Sequence, residues 1–230
     1  MLLTVINTAL WVLLSAAVML YMAFLTNKYI QKTASSEDID KSIGSLPEYR
    51  FNIKTIIAFA VLIIITGVAA FIVSTKAISV IACIKLGLCY FAVIGAAVID
   101  IKIKIIPNII PIALIVSRLV IFVFEMFFTA EAISYLISSL IGCFLCGLVL
   151  FIADKVSKGG IGKGDIKLIA ALGFMSGFYA VFSTLILALI VCILAAVILL
   201  LAKKKKSSDH IPFGPFVYLG YLLMILFTLY

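Results

Sequence analysis

The chain has 230 residues, 66% of them hydrophobic and 12% charged, with a mean hydropathy of +1.35. Soluble domains carry about twice that charged share, so a soluble fold is excluded. The net charge of +8 does not indicate nucleic acid, because the basic residues are scattered over short polar breaks and form no basic face. The lipid bilayer is the expected partner, and a backbone satisfied within lipid makes the fold an all-α polytopic bundle.

Apolar runs at 5–26, 55–73, 77–99, 108–128, 133–153, 178–202 and 213–230 are each near the length that spans a membrane. The first lacks a basic leading region and a small-residue cleavage site, so it reads as a retained span and not a removable signal. Between Asp165 and Gly177 lies a shorter apolar piece covering only about 18 Å as a helix, with Gly173 and Gly177 as bend points. The expectation is a bundle of about eight transmembrane helices, one of them short. Three regions are expected: 1–76, two spans and a polar loop; 77–202, a core; and 203–230, a basic loop and last span.

Basic residues set the orientation. Lys28, Lys32, Lys41, Arg50 and Lys54 occupy the first break, and Lys102 and Lys104 the third. Lys155, Lys158, Lys163 and Lys167 occupy the fifth, and Lys203 to Lys206 the seventh. These alternate breaks, with fifteen of the 18 basic residues, are assigned to the cytosol. Three charges fall inside spans: Lys85, Arg118 and Glu125. A Lys85 to Glu125 pair between adjacent helices is expected, with Arg118 on the same helix face as Glu125. The five cysteines all lie in apolar runs and read as packing residues, including the Cys143 and Cys146 CxxC, which has no second pair beside it.

Two carboxylates are not explained by topology. In AAVIDIKIKIIPN, Asp100 ends a long apolar run, and Pro107 and Asn108 open the next helix, with Asn108 as its expected cap. In KGGIGKGDIKLIAALG, the glycines Gly159, Gly160, Gly162 and Gly164 allow unusual backbone angles and close approach, and Asp165 then opens a helix. Both aspartates arrive at one membrane depth on the cytosolic side, as required to share a water and a proton. Helix-end charge alone predicts that Asp165, at an N-terminus, is ionised and that Asp100, at a C-terminus, keeps the proton. In that scheme Asp165 activates the water and Asp100 hydrogen-bonds the scissile carbonyl.

The IDIKIKIIPN and GGIGKGDIKLIAALG segments resemble the two active-site motifs of the type IV prepilin peptidases, within the GxGD class of intramembrane aspartyl proteases. The resemblance covers about 77–185, and HIPFGPFVYLG resembles a recurring C-terminal segment of bacterial members. It implies an aspartic endopeptidase of the cell (inner or cytoplasmic) membrane, with its active site facing the cytosol. Such an enzyme removes a basic leader from a prepilin-like protein substrate. The catalytic residues carry over as Asp100 and Asp165, with Gly162, Gly164, Lys167, Pro107 and Asn108 as supporting motif positions. Bifunctional members also hold a cytosolic insert with two CxxC pairs and methylate the new terminus. The corresponding break here, NKYIQKTASSEDIDKSIGSLPEYRFNIK, has no cysteine, so cleavage without methylation is expected, with no metal and no other cofactor. Glu37, Asp38 and Asp40 in that break are candidate contacts for the basic leader. His210 reads as a cap or surface residue, and the Pro212, Gly214 and Pro215 bend as a possible wall of the cleft. The alternative is a proton-coupled small-solute transporter using the same two carboxylates. It is disfavoured by the lack of an internal repeat and by carboxylates at the membrane surface instead of its midplane. Oligomeric state is not legible.

Overall fold

The computed structural model describes residues 79–201 and 212–228, together with Val61, Ile64, Ile65 and Val68. The expected spans at 5–26 and 55–73, and the candidate leader contacts Glu37, Asp38 and Asp40, lie wholly or largely outside the described residues, as does His210. The chain divides into two compact units, Met1–Phe71 and Ile72–Tyr230. The second contains six helices among the described residues: α1 Val80–Ile103, α2 Ile109–Phe128, α3 Ala132–Val156, α4 Lys163–Ser176, α5 Phe178–Leu201 and α6 Gly214–Thr228. All described secondary structure is helical, as composition requires.

Local chemistry sets the helix ends. Ser79 caps α1, its hydroxyl accepting from the Ala82 N–H at 3.3 Å. The same helix stops at Lys104, which turns into the left-handed region with φ 56° while its N–H returns to the Asp100 carbonyl. Asn108 stands at the start of α2 but makes no side-chain cap, contrary to expectation; its amide oxygen is taken by Lys167 instead. Gly177, with φ 86°, ends α4 and lets α5 begin at the next residue, where the Phe178 N–H donates to Ser138 Oγ at 3.1 Å.

Four helices, α1, α2, α3 and α5, are long and apolar enough to cross a membrane. The outward side chains are greasy, with Phe127, Phe144 and Leu201 among the most exposed. The protein is a multi-pass membrane protein, in which lipid accepts the apolar exterior and tight contact between helices supplies cohesion. The 14-residue α4 reaches only about 21 Å. It is nonetheless the hub of the unit, packing on α1, α2, α3 and α5, with Leu168, Ile169, Leu172 and Met175 buried. Its crossing with α3 is glycine on glycine: a Cβ at Gly173 would stand 2.5 Å from the Gly142 carbonyl carbon.

α6 is fastened to α1 by polar contacts along its length. Gly214 N–H meets Asp100, the Tyr90 and Tyr218 hydroxyls pair at 3.2 Å, and the Tyr221 hydroxyl donates to the Leu86 carbonyl at 3.1 Å. The charges inside spans form a three-way cluster. Glu125 accepts from Lys85 at 2.9 Å and from Arg118 at 2.6 Å, and Arg118 Nε reaches Ser139 Oγ at 3.2 Å. The expected Lys85 to Glu125 pair is present, joined by Arg118, so Glu125 ties α1 to α2 and Arg118 ties α2 to α3.

Candidate active site

Asp100 lies in the last turn of α1 and Asp165 in the first turn of α4, so two helices present opposite ends to one place. Two contacts bring the two motifs together. Gly164 packs on the linker after α1: a Cβ there would stand 3.0 Å from Ile106 Cβ. Lys167 Nζ donates to Asn108 Oδ1 at 3.0 Å, bridging the GxGD segment to the IPN segment. Ile106 itself is buried, and Pro107 beside it carries the chain from α1 into α2. The supporting positions Pro107, Asn108, Gly164 and Lys167 therefore sit around the seam between the two aspartate-bearing segments.

The loop before α4 is held by its own donors and acceptors. Asp154, near the end of α3, accepts from the Ile161 N–H at 3.2 Å, and the Gly159 N–H returns to the Asp154 carbonyl. Of the glycines expected to supply unusual backbone angles, Gly159 does so, with φ 89°. Gly162 serves a different need. A Cβ at that position would stand 2.7 Å from Asp165 Oδ2, so any larger residue would crowd the carboxylate.

The two carboxyl groups differ in surroundings. Asp100 is 5% exposed, and its Oδ2 accepts from the Gly214 backbone N–H at 2.7 Å. Asp165 Oδ1 is buried and meets no donor among the described residues. Burial, followed by the charge of Asp100, pushes the Asp165 carboxyl up to about 7, while the Gly162 backbone opposes the shift. That direction reverses the expectation from helix ends. The N-terminal position of Asp165 favours its anion, but desolvation and a neighbouring carboxylate outweigh the local field. The Gly214 donor was not foreseen; reading the Pro212 to Pro215 bend as a wall of the cleft located it only roughly.

A cavity of about 320 Å³ lies at the other end of the bundle, lined by Lys85, Tyr135, Ser138, Ser176, Tyr179 and Ser183 among others. It includes neither aspartate. Cys146 is buried and Cys143 partly so, both as free thiols within α3. Among the described residues, no cluster of His, Cys, Asp or Glu gathers as a metal site.

No curated protein and no solved structure matches the chain. The model of the type IV leader peptidase family matches residues 86–200, a stretch that contains Asp100, the IPN linker and the whole GxGD segment. With half its length accounted for by that match, the chain belongs to the type IV leader peptidase family, as a multi-pass membrane protease.

Proposed function

We propose that this protease is an aspartic endopeptidase that cuts the basic leader from type IV prepilin-like or pseudopilin-like proteins at the cytosolic face of the cell membrane. Asp100 and Asp165 are its catalytic pair in this reading. The observation that carries it is the meeting of the two carboxyls from opposed helix ends, close enough for the charge of Asp100 to help raise Asp165. Two aspartates that hold one proton between them are suited to splitting a peptide bond with water.

Roles follow from the hydrogen bonds. Asp100, accepting from Gly214 N–H, is the anion that takes a proton from water as its oxygen attacks the scissile carbonyl carbon. Asp165 gives its proton to the carbonyl oxygen. As the C–N bond breaks, the proton now on Asp100 passes to the leaving amine, and collapse of the gem-diol to the carboxyl returns a proton to Asp165. The basic breaks that hold Lys102, Lys104, Lys155, Lys158, Lys163 and Lys167 support a cytosolic site under the positive-inside tendency. Because that end is rich in lysine, the acidic residues Glu37, Asp38 and Asp40 remain the proposed contacts for a basic leader. Region 1–76 would then serve substrate docking, 77–202 catalysis, and 203–230 support of the site. The short, cysteine-free first break supports cleavage without N-methylation.

The test is co-expression with a prepilin-type substrate, followed by sequencing of the product terminus. Wild type should release the leader and leave an unmethylated terminus. Asp100→Asn and Asp165→Asn should each lower turnover by roughly 10³-fold or more, since members of one catalytic unit fail together. Substantial turnover by either variant would refute the pair, and a methylated terminus would refute the simpler activity. Neutralising Glu37, Asp38 and Asp40 together should raise KM with kcat little changed; an unaltered KM would remove them from leader binding.

A further inference from the structure

We propose that Gly214 is a positioning residue of the active site, whose backbone N–H, delivered by the first turn of the last helix, holds the Asp100 carboxylate in its working place. The inference rests on Asp100 and Asp165 being the catalytic pair, and it extends the site to a segment outside the family match at 86–200.

The geometry is specific. Gly214 opens α6 directly after Pro212 and Phe213, so its N–H is one of the first-turn donors that no helix carbonyl can take. It finds Asp100 Oδ2 at 2.7 Å across 114 residues of sequence, in a buried setting. A side chain there would be crowded. A Cβ would stand 3.0 Å from both Asp100 Cβ and Oδ2, and 3.3 Å from Ala97 Cα. A short charge-assisted bond of this kind fixes the carboxylate in orientation and favours its charged form. Further along α6, the Tyr221 hydroxyl, donating to the Leu86 carbonyl of α1, keeps the donor in register. The charged groups acting on Asp100 are Asp165 and Lys104, from α4 and from the end of its own helix.

Gly214→Ala supplies the test, with Tyr218→Phe as a control that loosens the same helix pair without touching Asp100. A carboxylate displaced by the new methyl group loses its donor and its aim. Cleavage of a prepilin-type reporter should show kcat lowered roughly tenfold to a hundredfold, with KM little changed. The acid limb of the kcat profile should move to higher pH. Tyr218→Phe should leave both kcat and the limb as in wild type. A second readout uses only wild type and Asp100→Ala: with selective labelling of glycine, the Gly214 amide proton should move upfield when the Asp100 carboxylate is removed. The proposal is overturned if Gly214→Ala keeps the wild-type kcat and acid limb while Asp100→Asn is inactive. It is also overturned if Tyr218→Phe moves the limb as far, or if the Gly214 resonance ignores the loss of Asp100. Activity in Asp100→Asn would instead refute the catalytic pair itself.

Discussion

The Asp165 carboxyl shows how competing local effects are ranked by magnitude. A helix N-terminus favours an anion by about 0.3–1 kcal/mol at an exposed site. Burial and a neighbouring carboxylate move a carboxyl by whole units of pKa, each about 1.4 kcal/mol. The result is a carboxyl lifted to about 7. An unfolded aspartate titrates near 4, so between about pH 4 and 7 the folded state binds more protons than the unfolded one, and stability falls as pH rises. Its contribution is complete below about pH 4 and gone above about pH 7. Discounted for the partial exposure of Asp165, the loss is on the order of 2 kcal/mol. Thermal unfolding in detergent should therefore give a lower Tm at pH 8 than at pH 5, and Asp165→Asn should flatten that difference. A wild-type Tm that rises over this interval would show that Asp165 is already ionised.

The short helix α4 carries most of the burden of placement. It brings Asp165 and Gly164 to the seam with the α1–α2 linker while burying Leu168, Ile169, Leu172 and Met175 against its neighbours. In lipid, apolar side chains gain little by leaving the solvent, so closeness of backbones matters more than greasiness. The Gly173 and Gly142 crossing is the tightest such point on α4. Gly173→Ala would force α3 and α4 apart and should cost roughly 1–3 kcal/mol. Because the shift would also tilt the first turn of α4, turnover should drop with it. A variant with wild-type Tm and turnover would mean that the crossing can relax freely. The IAALG pattern made a short, bendable helix legible in advance. Nothing in it showed that this helix would pack on four of the other five, because that depends on which neighbours folding places around it.

Across the whole unit, two polar clusters stand apart from each other. One holds the aspartates, Gly214 and the Lys167 to Asn108 bridge; the other holds Lys85, Glu125 and Arg118, with the cavity beside it. Glu125 is 1% exposed and balances two cations, so Glu125→Gln would leave Lys85 and Arg118 facing each other inside the bundle. Removing one partner from a buried ion pair costs roughly 3–5 kcal/mol. Glu125→Gln should accordingly lower the Tm strongly, while cleavage per folded molecule stays near wild type because the cluster is remote from the aspartates. Loss of turnover at full stability would instead couple the two clusters.

Composition alone determined the membrane, and apolar run length determined the described helices to within a few residues, since spanning lipid requires a minimum helical length. The two aspartates were also legible, because a charge that topology does not explain stands out in so apolar a chain. Motif resemblance led to the same family that the family match identifies. The tertiary structure decided the rest. The upward shift of Asp165 depends on burial and on a second carboxylate, and the setting of Asp100 on a donor 114 residues away; none of these is a local property. Asn108 likewise gave up its expected cap for Lys167, a partner that folding brought within reach. Periodicity and helix ends report short-range physics, whereas a carboxyl responds to every group that the packed bundle places around it.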